Sequence, residues 1–178
     1  SPGSHAAMER SYAFLKSHIE QRKPIYGINT QFGDQVSYLD PFLHDENEAL
    51  YYESINQRQE DLITSMACGL GNSVNPKIVK VAMMLRAHCL SQGCSGVSPK
   101  IAETILKHLD ADIIPIVHHY GSIGASGDLI PLAMIAASII GKDVDVYYKG
   151  KITKAPQAID TAGLQKPKLE GRDGLAMI

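Results

Sequence analysis

The sequence predicts a mainly α-helical domain over residues 1–178 with one small β-hairpin. Along most of the chain, apolar residues recur every three or four positions, which is the spacing of one helix face. Only residues 143–153 alternate polar and apolar side chains, and this segment predicts two short strands that turn near Lys149-Gly150. With 178 residues and 44% hydrophobic content, the chain is long and apolar enough for one core.

The first two predicted helices flank a loop. The first helix ends before Pro24, and one face carries Met8, Tyr12, Leu15 and Ile19. Residues 25–33 are too rich in glycine and asparagine for a helix and predict a loop. Asp45 and Glu48 form a capping-box pattern before the second helix, which should end near residues 69–71. Its predicted inner face comprises Ile55, Leu62, Met66 and Leu70.

Four further helices follow from their start and stop signals. Prolines at 76 and 99, each after a polar residue, predict two helix starts. The predicted inward residues are Ile78, Val81, Ala82 and Leu85 in one helix and Ile101, Ile105, Leu106 and Leu109 in the other. Asp128 is expected to cap a helix that ends at Gly141. A short helix is expected over residues 156–162.

Composition excludes several classes of function. A net charge of −2 with mixed signs argues against nucleic-acid or anionic-membrane partners. The three cysteines lack a CxxC spacing and indicate reduced thiols rather than disulfides or a zinc site. The longest apolar run, residues 129–140, is too short to span a bilayer, and no signal peptide is visible. We therefore expect a soluble, cytoplasmic protein.

The glycine-rich segment 121–129 contains Ala125-Ser126-Gly127, a tripeptide with unusual chemical potential. If the amide nitrogen of Gly127 attacks the carbonyl carbon of Ala125, a five-membered ring closes. Loss of water from the ring and from the side chain of Ser126 leaves 4-methylidene-imidazol-5-one (MIO). This group is an electrophile, and no standard side chain is strongly electrophilic. Glycine suits the third position because its nitrogen must fold back without interference from a Cβ.

Several motifs together resemble the aromatic amino acid ammonia-lyase and aminomutase family, which includes histidine, phenylalanine and tyrosine ammonia-lyases. Residues 121–133 read GSIGASGDLIPLA and resemble the segment that forms the family's electrophile. Residues 26–33 read YGINTQFG and resemble its tyrosine loop. Arg86 with the sequence GCSGV at 93–97, and the last residues from Glu170, resemble two further segments. The motifs cover nearly the whole chain in the family's order.

The resemblance implies roles for matching residues. Ala125, Ser126 and Gly127 would form MIO without a metal, and Tyr26 would remove the β-proton of an α-amino acid that loses ammonia. Met66 and Gly33 are the candidate substrate-binding residues. Family members are longer and carry a helical bundle after this domain, which implies an N-terminal portion of a homotetrameric enzyme. The sequence stops just before the family's active-site asparagine.

Two departures from the family pattern bear on the substrate. Histidine- and some tyrosine-specific members have Ser-His-Ala where this chain has Ser65-Met66-Ala67. Methionine cannot hydrogen-bond an imidazole or a phenol as histidine can, which favours a phenylalanine-like substrate. Gln31 stands where the family usually has glycine, so the tyrosine loop is expected to be reshaped. A histidine ammonia-lyase and a 2,3-aminomutase remain alternatives.

The same residues support other classes of function less well. A strand at 112–117, the glycine-rich turn and Asp143 outline a dinucleotide site, but the glycine spacing is GxxGxxG rather than GxGxxG. A serine hydrolase elbow at Ser126 needs glycine where Asp128 stands. The adjacent His118 and His119 lack a third metal ligand at suitable spacing. A non-catalytic helical assembly module derived from the lyase family would leave the tripeptide unmodified.

Overall fold

A computed structural model describes residues 1–122, 127 and 129–178 of the chain. Helices dominate the described part, as predicted. They are α1 (Pro2–Glu20), α2 (Glu48–Met66), α3 (Pro76–Ser91), α4 (Pro99–Asp110), α5 (Leu129–Ile139), α6 (Ala155–Thr161) and α7 (Asp173–Met177). The strands are β1 (Leu70–Ser73), β2 (Ile113–Pro115), β3 (His118–Tyr120), β4 (Asp145–Tyr148) and β5 (Lys151–Lys154). None of these helices is long and apolar enough to cross a membrane.

The ends of α2 differ from the prediction. The predicted cap, Asp45, is not the N-cap: the side chain of Asn47 accepts the N–H groups of Ala49 and Leu50, and Asp45 instead accepts the N–H of Asn47. A nearer side chain satisfies the free N–H groups of the first turn, so the box pattern is not needed. The helix ends at Met66, and Leu70, predicted to be on its inner face, is exposed in β1.

The main core lies between the helices. Ile63 of α2, Met83 of α3, Ile101 of α4 and Ile135 of α5 belong to one buried cluster. The predicted inner face of α3 was wrong, because Ile78, Val81 and Leu85 are exposed. The buried residues of this helix are Val79, Met83, Ala87 and Leu90. In α4, Ile101 and Ile105 are buried as predicted, but Leu106 is exposed.

Two small antiparallel sheets complete the fold. The predicted hairpin is confirmed as β4 and β5, and β2 adds a third strand on the far side of β4. The other sheet pairs β1 with β3. A dinucleotide-binding fold needs parallel strands, and all the strand pairs described here are antiparallel. The predicted short helix is confirmed as α6, whereas the predicted cap Asp128 lies outside the described residues.

Candidate active site

The loop between α1 and α2 presents Tyr26 at the surface. Its side chain is 47% exposed, and its hydroxyl oxygen accepts a hydrogen bond from the N–H of Gly33 at 3.1 Å. The ring of Phe32 packs edge-on against the Tyr26 ring, with 6.1 Å between centroids. Gly33, predicted to contact substrate, therefore contacts Tyr26 in this structure. An N–H that points at the phenolic oxygen stabilises negative charge there.

Buried polar groups fix this loop from beneath. The Asn29 side chain is fully buried; its Oδ1 accepts the N–H of Ile25 at 2.6 Å. Its Nδ2 donates to the carbonyl of Lys23 and to the hydroxyl of Tyr51, at 2.9 and 2.8 Å. Because a buried amide is costly unless it is bonded, these contacts favour one loop conformation. The loop beneath Tyr26 is thus held in place without help from the tyrosine ring.

Gly27 occupies a position that only glycine fits. Its φ is +68°, in the left-handed region. A Cβ at this position would lie 2.5 Å from Cε1 of Phe32 and 2.7 Å from Cδ2 of Leu175. The residue after Tyr26 therefore packs directly between the Phe32 ring and α7, and any side chain there would displace one of them.

Gln59 connects the tyrosine loop to α7, a role that the sequence analysis did not predict. The side chain is fully buried on α2. Its Nε2 donates to the carbonyl oxygen of Gly27, and its Oε1 accepts the N–H of Leu175, each at 2.9 Å. A polar residue on the otherwise apolar face of Ile55 and Ile63 was the available sequence signal.

The far end of the loop is fastened by a buried ion pair. Asp40 is buried, and its Oδ2 accepts bonds from the Ser54 hydroxyl and Arg58 Nη2, both at 2.6 Å. Its Oδ1 accepts the N–H of Phe42 at 2.8 Å. Burial alone would raise the pKa of Asp40, but these hydrogen bonds and the positive charge of Arg58 outweigh it and lower that pKa below its ordinary value. The return of the loop to α2 is therefore fixed by charge-assisted bonds.

Met66 and the tyrosine loop border one open groove of about 710 Å³. Met66, the last residue of α2, is partly buried, and Phe32 lines the same groove. Phe32 also packs on Tyr26, so this ring contacts the tyrosine and lines the groove that Met66 borders. The structure thus places Met66 near the tyrosine loop rather than deep in the helical core.

The glycine-rich turn is described in part. Gly127 has a φ of +74°, and no atom of another described residue lies within 4 Å of where a Cβ would be. Its carbonyl oxygen accepts a hydrogen bond from the hydroxyl of Ser122 at 2.5 Å. At the start of the turn, a Cβ on Gly121 would lie 3.6 Å from the Cα of Gly69, just after α2. Ala125 and Ser126 lie outside the described residues.

The backbone at Gly127 adopts a conformation that favours glycine. A left-handed φ is strained for every residue with a Cβ, whereas glycine adopts it freely. Among the described residues, no three His, Cys, Asp or Glu side chains come together as a metal site. Of the two adjacent histidines, His118 directs its Nδ1 to the carbonyl of Gly71 at 2.7 Å.

Comparisons with known proteins agree with this arrangement. The family model described as aromatic amino acid lyase matches residues 1–178. Histidine ammonia-lyase 2 of Fusobacterium nucleatum subsp. nucleatum is 38% identical over 168 residues, covering 94% of this chain and 31% of the relative. Histidine ammonia-lyase of Deinococcus radiodurans is 35% identical over 178 residues, covering 100% of this chain and 32% of the relative.

A solved structure shows the same fold. Phenylalanine aminomutase of Pantoea agglomerans superposes with a TM-score of 0.85 at 27% identity, covering 100% of this chain and 32% of that chain. The chain thus spans about a third of the length of these relatives, at 31% and 32% of the two lyases. With the tyrosine loop, the glycine-rich turn and the helical fold in the family's order, the chain belongs to the aromatic amino acid lyase family.

Proposed function

We propose that Ala125, Ser126 and Gly127 form MIO, and that the protein containing this chain eliminates ammonia from an aromatic α-amino acid to give an unsaturated acid. The observation that carries the proposal is the presentation of Tyr26. Its hydroxyl is exposed and hydrogen-bonded to Gly33, on a loop that is fixed by Asn29 beneath it.

Formation of the electrophile uses only the chain itself. The nitrogen of Gly127 bonds to the carbonyl carbon of Ala125, and two water molecules leave, one from that carbonyl and one from the Ser126 side chain. The left-handed φ of Gly127 favours glycine at the third position of the tripeptide. The finished group supplies an electrophile for activating the substrate, a function that side chains alone lack.

Tyr26 acts as the general base in this proposal. In its deprotonated form, Tyr26 takes the β-proton of the substrate on its phenolate oxygen, the C–N bond breaks, and ammonia leaves as the double bond forms. The N–H of Gly33 stabilises the negative charge that this oxygen needs in order to accept the proton. The contact of Phe32 with the ring restricts its rotation, so the oxygen keeps its direction.

Met66 supports a phenylalanine-like substrate. Its thioether packs well against an apolar ring and gives an imidazole or a phenol no strong hydrogen-bonding partner. Histidine is the second candidate, because both ammonia-lyase relatives described above carry that name. An aminomutase, which returns ammonia to the β-carbon, is supported by the fold of the Pantoea agglomerans enzyme.

We further propose that residues 1–178 form one domain of a longer polypeptide that assembles as a homotetramer. The test uses that polypeptide at family length with phenylalanine, tyrosine and histidine in separate assays. Product absorbance reports the unsaturated acid, and mass spectrometry with chiral separation reports any β-amino acid. We expect phenylalanine to give the highest kcat/KM, and an assembled protein that is inactive on all three would contradict the proposal.

A further inference from the structure

We infer that Gln59 is a positioning residue for Tyr26, holding the Tyr26–Gly27 segment against α7. The inference rests on the proposed role of Tyr26 as the base. It comes from the pair of hydrogen bonds through which one buried side chain joins α2, the tyrosine loop and α7.

Both the nitrogen and the oxygen of the Gln59 amide form a hydrogen bond. The donor end reaches the Gly27 carbonyl, and the acceptor end takes the Leu175 N–H. A flipped amide would place its NH₂ group against the Leu175 N–H and its oxygen against the Gly27 carbonyl, so the partners specify a single orientation. Since the side chain is fully buried, water does not replace either bond.

Packing leaves Gln59 no room to move. A Cβ on Gly174 would lie 2.6 Å from the Gln59 backbone oxygen and 2.8 Å from its Cβ, so α7 touches α2 at this residue. The helix α7 is itself anchored, because the buried carboxyl group of Asp173 accepts the N–H of Ser98 at 2.9 Å. Gln59 therefore holds the loop at a fixed position relative to α7.

The anchored atom is close to the proposed base. Gly27 directly follows Tyr26 in the chain, and its carbonyl is the group that Gln59 holds. The Tyr26 ring itself is about half exposed, and the residues shown to hold it, Phe32 and Gly33, belong to the same loop and move with it. Displacement of a catalytic group by about 1 Å is enough to cost on the order of 100-fold in rate. Loss of the Gln59 bonds should therefore slow the proton transfer more than it weakens substrate binding.

The experiment uses the family-length protein, three single variants and one double variant. Gln59→Leu removes both hydrogen bonds at similar volume. Ile159→Ala is the matched control, because it truncates a buried residue in the separate cluster of α6 and the three-stranded sheet. Tyr26→Phe removes the base. For each protein we measure kcat, KM, the melting temperature and the isotope effect on kcat with a β-dideuterated substrate.

We expect Gln59→Leu to lower kcat by about 10- to 100-fold with KM changed by less than about threefold, and to raise the isotope effect because proton removal becomes slower. Ile159→Ala should lower the melting temperature while leaving the isotope effect unchanged. The double variant of Gln59→Leu with Tyr26→Phe should be no slower than Tyr26→Phe alone, because Gln59 acts only through Tyr26.

Failure of the inference and failure of the proposed function give different results. A wild-type kcat and isotope effect in Gln59→Leu, or additive losses in the double variant, would overturn the positioning role while Tyr26 remains the base. Wild-type turnover in Tyr26→Phe would remove both. If Gln59→Leu does not assemble, Gln59→Glu replaces it. That variant keeps the acceptor for Leu175 but loses the donor to Gly27, and unchanged kcat and isotope effect there would overturn the inference.

Discussion

The N–H of Gly33 donates a hydrogen bond to the hydroxyl oxygen of Tyr26 at 3.1 Å. The loop therefore closes on itself and binds the same oxygen that the proposed reaction uses. The tyrosine side chain is still 47% exposed, so the oxygen remains accessible to a substrate. The buried contacts of Asn29, rather than those of Tyr26, support the loop, so the hydroxyl can be removed without loss of the fold.

Tyr26→Phe should abolish nearly all turnover while the melting temperature stays close to that of the wild type. Removal of a general base costs about 10²- to 10⁴-fold in rate. The matched control is Tyr148→Phe, which makes the same change on β4, and it should keep wild-type kcat/KM. Steady-state assays and thermal melts of both variants test this, and substantial activity in Tyr26→Phe would remove the assigned role.

Gly27→Ala and Gly163→Ala separate backbone strain from crowding. The two glycines have φ values of +68° and +67°, so alanine adds similar strain at both, about 1 kcal/mol. Of the two, only Gly27 has atoms within 3 Å of the new Cβ, whereas at Gly163 no atom of another residue in the described part of the chain lies within 4 Å. We expect Gly27→Ala to lower the melting temperature further and to reduce kcat, since Phe32 or Leu175 must move. Equal effects in the two variants would contradict the close packing at Gly27.

Met66→His should shift preference toward histidine. An imidazole at the end of α2 offers the hydrogen-bonding partner that methionine lacks. We expect the ratio of kcat/KM for histidine over phenylalanine to rise by about tenfold, the effect of one hydrogen bond of roughly 1.4 kcal/mol. Thr64→His places the same side chain at an exposed position of α2 and should leave the ratio unchanged. If Met66→His also leaves it unchanged, this residue does not select the substrate.

Asp173 should make stability depend on pH near neutrality. Burial raises the pKa of this carboxyl to about 7, although the N–H groups of Ser98 and Glu170 oppose the rise. The unfolded value of 3.8 is lower, so between about pH 4 and 7 the folded state holds a proton that the unfolded state has released. This contribution therefore declines as pH rises through that window, by about 1.4 kcal/mol per pH unit, and is constant above it.

Thermal melts of the wild type and Asp173→Asn at pH 5 and pH 8 measure this effect. The variant does not titrate at this position, so the melting temperature of the wild type minus that of the variant should be smaller at pH 8. The lowered pKa of Asp40 acts in a different window, because its contribution is lost only as pH falls below its ordinary value. A difference between wild type and variant that does not change with pH would show that Asp173 is not protonated in the folded state.

Local signals predicted much of the fold. The prolines at 76 and 99 mark the first residues of α3 and α4, and the alternating segment gives β4 and β5. Each of these features depends on residues within a few positions of one another. The prediction of the inner face of α3 was wrong because the helix has apolar residues on two faces, so periodicity alone does not identify the buried face. The face that is buried is the one that packs against α4 and α1.

The local sequence patterns did not predict the long-range contacts in the site. The tyrosine motif predicted Tyr26 and Gly33 as site residues, but not that they bond to each other. Gln59 bonds to partners that are 32 residues before it and 116 residues after it, and no local pattern specifies either distance. The pairing of β1 with β3 likewise joins segments that have no alternating signal of their own. The two bonds of Gln59 form because α2 packs against the loop and α7.

Mass spectrometry of the peptide spanning residues 125–127 shows whether this chain makes its own electrophile. The sample is the assembled, family-length protein, with Ser126→Ala as the control that has no side-chain hydroxyl to lose. We predict a wild-type peptide lighter than its sequence by two water molecules, a deficit that the control does not show. A wild-type peptide with the full mass of Ala125-Ser126-Gly127 would contradict the account and leave a helical scaffold without the proposed catalytic group.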